Sequence, residues 1–166
     1  MQEPAQTKQT AGYLKALGIL FYAMLAGQLS FAVIVYILNT TGASNTMPPD
    51  EQRIFEYVAP TVLFLCIAAN WSIFKKRIEY IRQEPDLSVR LGAYRALYIT
   101  RFALAEAPAL FAIIFVFVTG SKLIWLVVLI ALISFVTLRP GKERLIKELD
   151  LSSDEISKLE GIQKES

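Results

Sequence analysis

The sequence predicts an all-α integral membrane protein: a four-helix bundle made of two helical hairpins, with both termini cytoplasmic and a short amphipathic tail. Three observations lead there. Hydrophobic residues make up 54% of the 166 residues and mean hydropathy is +0.44, more than a soluble core of this size requires. The apolar residues gather in four runs of the length demanded by a hydrocarbon layer about 30 Å thick. Lysine and arginine, finally, crowd into alternate connections between those runs.

The runs are 16–38, 54–74, 96–118 and 122–138. The first is longer than the apolar segment of a signal peptide, although Gly42, Ala43 and Ser44 follow it, so it is read as a retained helix. Between the second and third runs lie Lys75, Lys76, Arg77, Arg82, Arg90 and Arg95; after the fourth come Arg139, Lys142, Arg144 and Lys147. The connection "NTTGASNTMPPDEQR" and the turn at 119–122 hold one basic residue each. An excess of Lys and Arg marks the cytoplasmic side. The expectation is therefore a bacterial inner-membrane protein with both termini inside. Tyr13, Trp71, Tyr94 and Tyr98 are expected at the inner headgroup level, and Tyr36, Tyr57 and Trp125 at the outer one.

Outside the runs, "KKRIEYIRQEPDLSVRLGAYR" predicts that the second helix continues to about Arg82, breaks at Pro85 and restarts near Ser88. A helical hairpin reaching into the cytoplasm follows. In the tail, 139–166, Pro140 ends the fourth run, and Leu145, Ile146 and Leu149 form one apolar stripe. Ser152 and Glu155 have capping-box spacing. Such a helix is expected to lie on the inner membrane surface with its basic residues toward anionic headgroups. A solvated tail is the alternative.

Several functions are disfavoured by composition. Net charge is +2 and histidine is absent, which gives nucleic-acid binding and histidine-based acid, base or metal chemistry no foothold. The single cysteine, Cys66, lies in an apolar run and reads as a small packing residue. With no nucleophile constellation and no phosphate-binding glycine loop, the chain is not expected to be an enzyme or to hold a cofactor.

One segment departs from the apolar pattern. "YITRFALAEAPALFAIIFVF" carries Arg101, Glu106 and Pro108, and Glu106 is the eleventh of 23 residues in the run 96–118. A carboxylate near the midplane costs about 2.5–3.5 kcal/mol on insertion scales, so it must be neutral, paired or hydrated. Ala103 and Ala109 share its helical face and are expected to let a neighbouring helix approach. Pro108 predicts a kink and leaves the carbonyl of Leu104 without its helical donor. Arg101 stands about 100° multiplied five times from Glu106, roughly 140° around the axis, and is expected to reach toward the inner headgroups. Gln28 lies at a similar depth in the first run and Asn70 about level with Arg101, which suggests two polar layers: Gln28 with Glu106 and Asn70 with Arg101. Interhelical hydrogen bonding is the plainer role for Gln28 and Asn70.

"ALAEAPALFAIIFVFV" resembles the carboxylate-bearing helix of the rotary ATPase proteolipid, the ring subunit, and "RQEP" resembles that family's polar loop. The resemblance implies that Glu106 carries an ion. Proteolipid helices are dense in glycine, whereas "IFEYVAPTVLFLCIAANWSIF" has none. Over nearly its whole length the chain is similar to uncharacterised bacterial four-span membrane proteins that end in a pattern matched here by "LRPGKERLIKELDLSSDE". The functional expectation is an accessory or interaction subunit of a membrane assembly, as a homo-oligomer or within a larger complex, with the lipid bilayer as its other partner. The alternative is a proton- or ion-coupled small transporter or relay subunit using Glu106.

Overall fold

The computed structural model describes residues 3–42 and 47–157, with side chains from residue 14 onward except residue 49. The side chain of Tyr13, and the tail beyond residue 157, lie outside what is described. Among the described residues the helices follow in the order α1 (Glu3–Thr40), α2 (Pro49–Arg82), α3 (Leu87–Thr119), α4 (Ile124–Val136) and α5 (Lys142–Leu149), with a further helical turn at 153–157. Among the described residues there is no strand.

Three helical stretches, Leu14–Thr40, Asp50–Arg82 and Leu87–Thr119, are long and apolar enough to cross a membrane. The fourth run is shorter than expected. Helix α4 has 13 residues, about 20 Å of rise, against about 30 Å of hydrocarbon. Its ends explain the difference, because 122–123 belong to the turn that follows Gly120 at φ +69°, and 137–138 form another turn. The break between α2 and α3 falls where the sequence puts it. Arg82 is the last residue of α2, and α3 begins at Leu87, one residue before Ser88. Asp86 caps α3 by accepting the Ser88 amide at 2.8 Å, which holds its carboxyl below the ordinary 3.8.

The chain divides into two compact units. One is built from Tyr22–Trp71 and Phe102–Leu138. Its core draws on four helices: Ala32 and Val35 from α1, Ala59 and Leu63 from α2, Ala109, Ala112, Ile113 and Val116 from α3, and Val127, Val128 and Ala131 from α4. Small residues at these contacts let helix backbones approach, the packing available where hydrophobic collapse into water cannot help. Asn39 donates to the carbonyl of Val116 at 3.3 Å and Ser121 to Glu56 Oε1 at 2.6 Å. Tyr36 and Trp125, both expected at the outer headgroup level, meet edge to face with centroids 6.1 Å apart. Phe64, Phe111, Leu126 and Ile133 are exposed, so apolar side chains also line the outside of this unit. Both α2 at Pro60 and α3 at Pro108 continue as helix through the proline.

The other unit is built from the chain up to Phe21, Ser72–Arg101 and the chain from Arg139 onward. Its buried apolar residues include Leu17 and Phe21 of α1, Ile78 and Ile81 of α2, Leu91 and Leu97 of α3, and Leu145 and Leu149 of α5. The tail is amphipathic as expected, but its stripe is covered by protein: Leu145 is 2% exposed and Leu149 1%. An apolar face already buried in the chain is withdrawn from lipid. Asp150 ends α5 in the left-handed region, φ 52°, with its amide on the Ile146 carbonyl. The capping box then forms: the Ser152 amide donates to Glu155 Oε2 at 2.9 Å, and the Glu155 amide donates to Ser152 Oγ at 3.4 Å.

Candidate functional site

Tyr94, Tyr98 and Arg101 recur at intervals of four and three residues, which places them on one face of α3. Glu148 follows Leu145 by three residues on α5, so burying Leu145 and Leu149 carries the carboxylate inward with them. Tyr94 and Tyr98 both donate to Glu148 Oε2, at 2.9 and 2.8 Å. Arg144 Nε donates to Oε1 at 2.8 Å, and Arg101 Nη1 stands 3.9 Å from the same oxygen, an ion pair rather than a hydrogen bond. Arg82 Nε donates to the Glu148 backbone carbonyl at 2.7 Å. The Tyr94 and Tyr98 rings lie 4.6 Å apart, and the Arg101 guanidinium lies 3.8 Å from the centroid of Phe74.

A second clasp lies beside the first. Arg90 holds the carbonyl of Glu84 through Nε at 3.0 Å and Glu155 Oε1 through Nη1 at 3.1 Å, tying the α2–α3 turn to the capped end of the tail. Two sets of expected positions are corrected here. Tyr94 and Tyr98 are 1% and 0% exposed, and Arg101 is 5% exposed. None of the three reaches for headgroups. Burial against α5 and Phe74 supplies the polar and aromatic partners that snorkelling would otherwise seek. Chemically, Glu148 is a saturated carboxylate, its oxygens taken by two phenols and two guanidiniums, which makes a clasp rather than a proton carrier.

The other residues singled out from sequence behave differently. Gln28 is completely buried, yet neither its amide nitrogen nor its oxygen has a hydrogen-bond partner. Glu106 is only half-buried and makes no hydrogen bond or ion pair among the described residues. No hydrogen bond joins the two, so the central polar layer is not closed. Asn70 is buried on α2. Of the two alanines on the Glu106 face, Ala109 is buried and Ala103 is exposed. Pro108 is buried beside Ala109. Among the described residues no group of three or more His, Cys, Asp or Glu side chains is placed to hold a metal ion.

No family model, curated protein or solved structure matches the chain.

Glu148 went unrecognised in the sequence because an acid in a charged tail reads as solvated. The available signal was the combination of its position between two leucines of the stripe and the Tyr94, Tyr98, Arg101 face elsewhere.

Proposed function

We propose that this protein is a small multi-pass membrane protein of the inner membrane that works as an accessory or interaction subunit, as a homo-oligomer or in a larger membrane complex. The observation that carries this reading is Glu106. A half-buried acid in the middle of α3 has no partner among the described residues, and the exposed Ala103 on its face leaves room for another helix. Lipid offers such a group nothing, whereas a neighbouring protein can pair or hydrogen-bond it. The test is purification in mild detergent with measurement of assembly mass, for wild type and Glu106→Gln. An assembly of one chain alone would refute the reading.

Four crossings with both termini cytoplasmic is the topology adopted with it. Contacts within one unit support this: Arg82 and Arg90, beside the basic α2–α3 connection, hold Glu148 and Glu155 of the tail. If α3 crosses, the chain has to return before α5, and α4 is the segment that can do it. The turns flanking α4 add reach to its 13 helical residues.

A second reading is a proton or ion relay using Glu106, in keeping with the resemblance to the proteolipid helix. It is favoured by the assignment of Arg101 to Glu148, which leaves the mid-span carboxyl without that cation. Carbodiimide labelling of Glu106, together with loss of function but not of assembly in Glu106→Gln, is its expected signature.

A further inference from the structure

Where α2 and α3 leave the apolar runs, a cleft of about 480 Å³ lies between them, lined by Lys76, Arg77, Tyr80 and Ile81 of α2 and by Ala93 and Ala96 of α3. No acidic side chain lines it. Lys76 and Arg77 are exposed, and neither makes a hydrogen bond or ion pair among the described residues. The floor is apolar: Ile81 is buried, and the two alanines take little room. Its depth follows from the helices. Lys76 and Arg77 come two and three residues after Phe74, the end of the second apolar run, so they stand about 3–5 Å beyond it. Ala96 begins the third run. Trp71, exposed one turn earlier, is an aromatic anchor of the kind found at that level.

We infer that this cleft binds the phosphate of an anionic phospholipid, with Lys76 and Arg77 on the phosphate oxygens and the Tyr80 phenol as a further donor. The apolar floor accepts the glycerol and first acyl carbons. A surface basic cluster attracts any anion, but a cleft with an apolar floor beside the hydrocarbon edge fits a group that is phosphate at one end and apolar at the other. The cleft contributes what the tail cannot, since the apolar stripe of the tail is buried in protein. This inference rests on the proposed membrane spans.

The test uses the full chain in nanodiscs or mild detergent, with bound lipid counted by native mass spectrometry. Phosphatidylglycerol is the probe and phosphatidylcholine the reference. Wild type should retain phosphatidylglycerol in preference, and Lys76→Gln/Arg77→Gln should lose about tenfold or more of that preference. Lys147→Gln, an exposed basic residue outside the cleft, should keep it. Both cleft side chains are exposed, so an unchanged melting temperature of the double variant will show that its fold is intact. Equal retention of the two lipids by wild type, or undiminished preference in the double variant, would overturn the proposal. Displacement of the lipid by an equal concentration of soluble glycerol 3-phosphate would also overturn it, by assigning the phosphate to a soluble ligand. Extraction of the chain from membranes by alkaline carbonate would instead refute the spans themselves, a result separable from every lipid comparison.

Discussion

Tyr98 donates its phenolic hydrogen to Glu148 at 2.8 Å, joining a helix of the apolar runs to the tail that follows them. The same carboxylate oxygen receives Tyr94, so the bond is one of a pair from adjacent turns of α3. Charge-assisted hydrogen bonds of this kind are stronger than neutral ones, and removing the shared acceptor leaves several partners unmatched at once.

Glu148→Ala should therefore lower stability by about 2–4 kcal/mol, the range for stripping a paired carboxylate from partly buried donors. Glu143→Ala, on the exposed side of the same helix, should change little. Thermal melting of both variants in detergent provides the comparison. Equal effects would mean that the clasp contributes no more than a surface charge.

The capped end of the tail should be acid-sensitive. Glu155 is held below a glutamate's ordinary 4.5, first by the Ser152 backbone amide and then by the Ser152 hydroxyl and the Arg90 charge, against the opposing effect of burial. A lowered folded value means that its contribution is fully present above pH 4.5 and is lost as pH falls through that lower value. Amide hydrogen exchange at 152–157, corrected for the intrinsic rate, should rise on acidification through this window. Glu155→Gln should flatten the dependence. A pH profile shared by wild type and variant would contradict the assignment.

Reporter fusions after Leu38 and after Gly120 should lie outside, and fusions at Pro85 and Ser166 inside. The critical site is Ser166, because it tests whether the 13-residue α4 returns the chain. An outward Ser166 would remove the fourth crossing and the proposed orientation together.

Ala109 and Ala103 should separate intramolecular packing from association. Ala109→Leu places three extra carbons where the side chain is 0% exposed and should destabilise the chain by about 1–3 kcal/mol. Ala103→Leu should leave the melting of the single chain nearly unchanged but weaken assembly, since this position is exposed and adjoins the Glu106 face. Crosslinking or assembly mass reads the second effect. If Ala103→Leu leaves assembly intact, that face does not meet a partner.

What the sequence determined by itself was what short-range physics controls. Apolar run length predicted four spans, and three of the runs form helices long and apolar enough to cross a membrane, because a backbone in hydrocarbon must satisfy its own hydrogen bonds. Pro85 gave the break between α2 and α3, and Ser152 with Glu155 gave the second cap of the tail, since both act within a few residues. Tertiary structure decided the rest. Whether Leu145 and Leu149 face lipid or protein cannot be read from α5, because an amphipathic stripe fits either surface. Arg101 was expected to reach toward the inner headgroups, in a layer with Asn70. Its pairing with Glu148, 47 positions away, depends on α2, α3 and the tail being brought together, and only then does Phe74 lie against its guanidinium. Glu106 remained half-buried for the same reason: local spacing put alanines beside it, but contacts between helices determined that Ala109 would be covered and Ala103 would not.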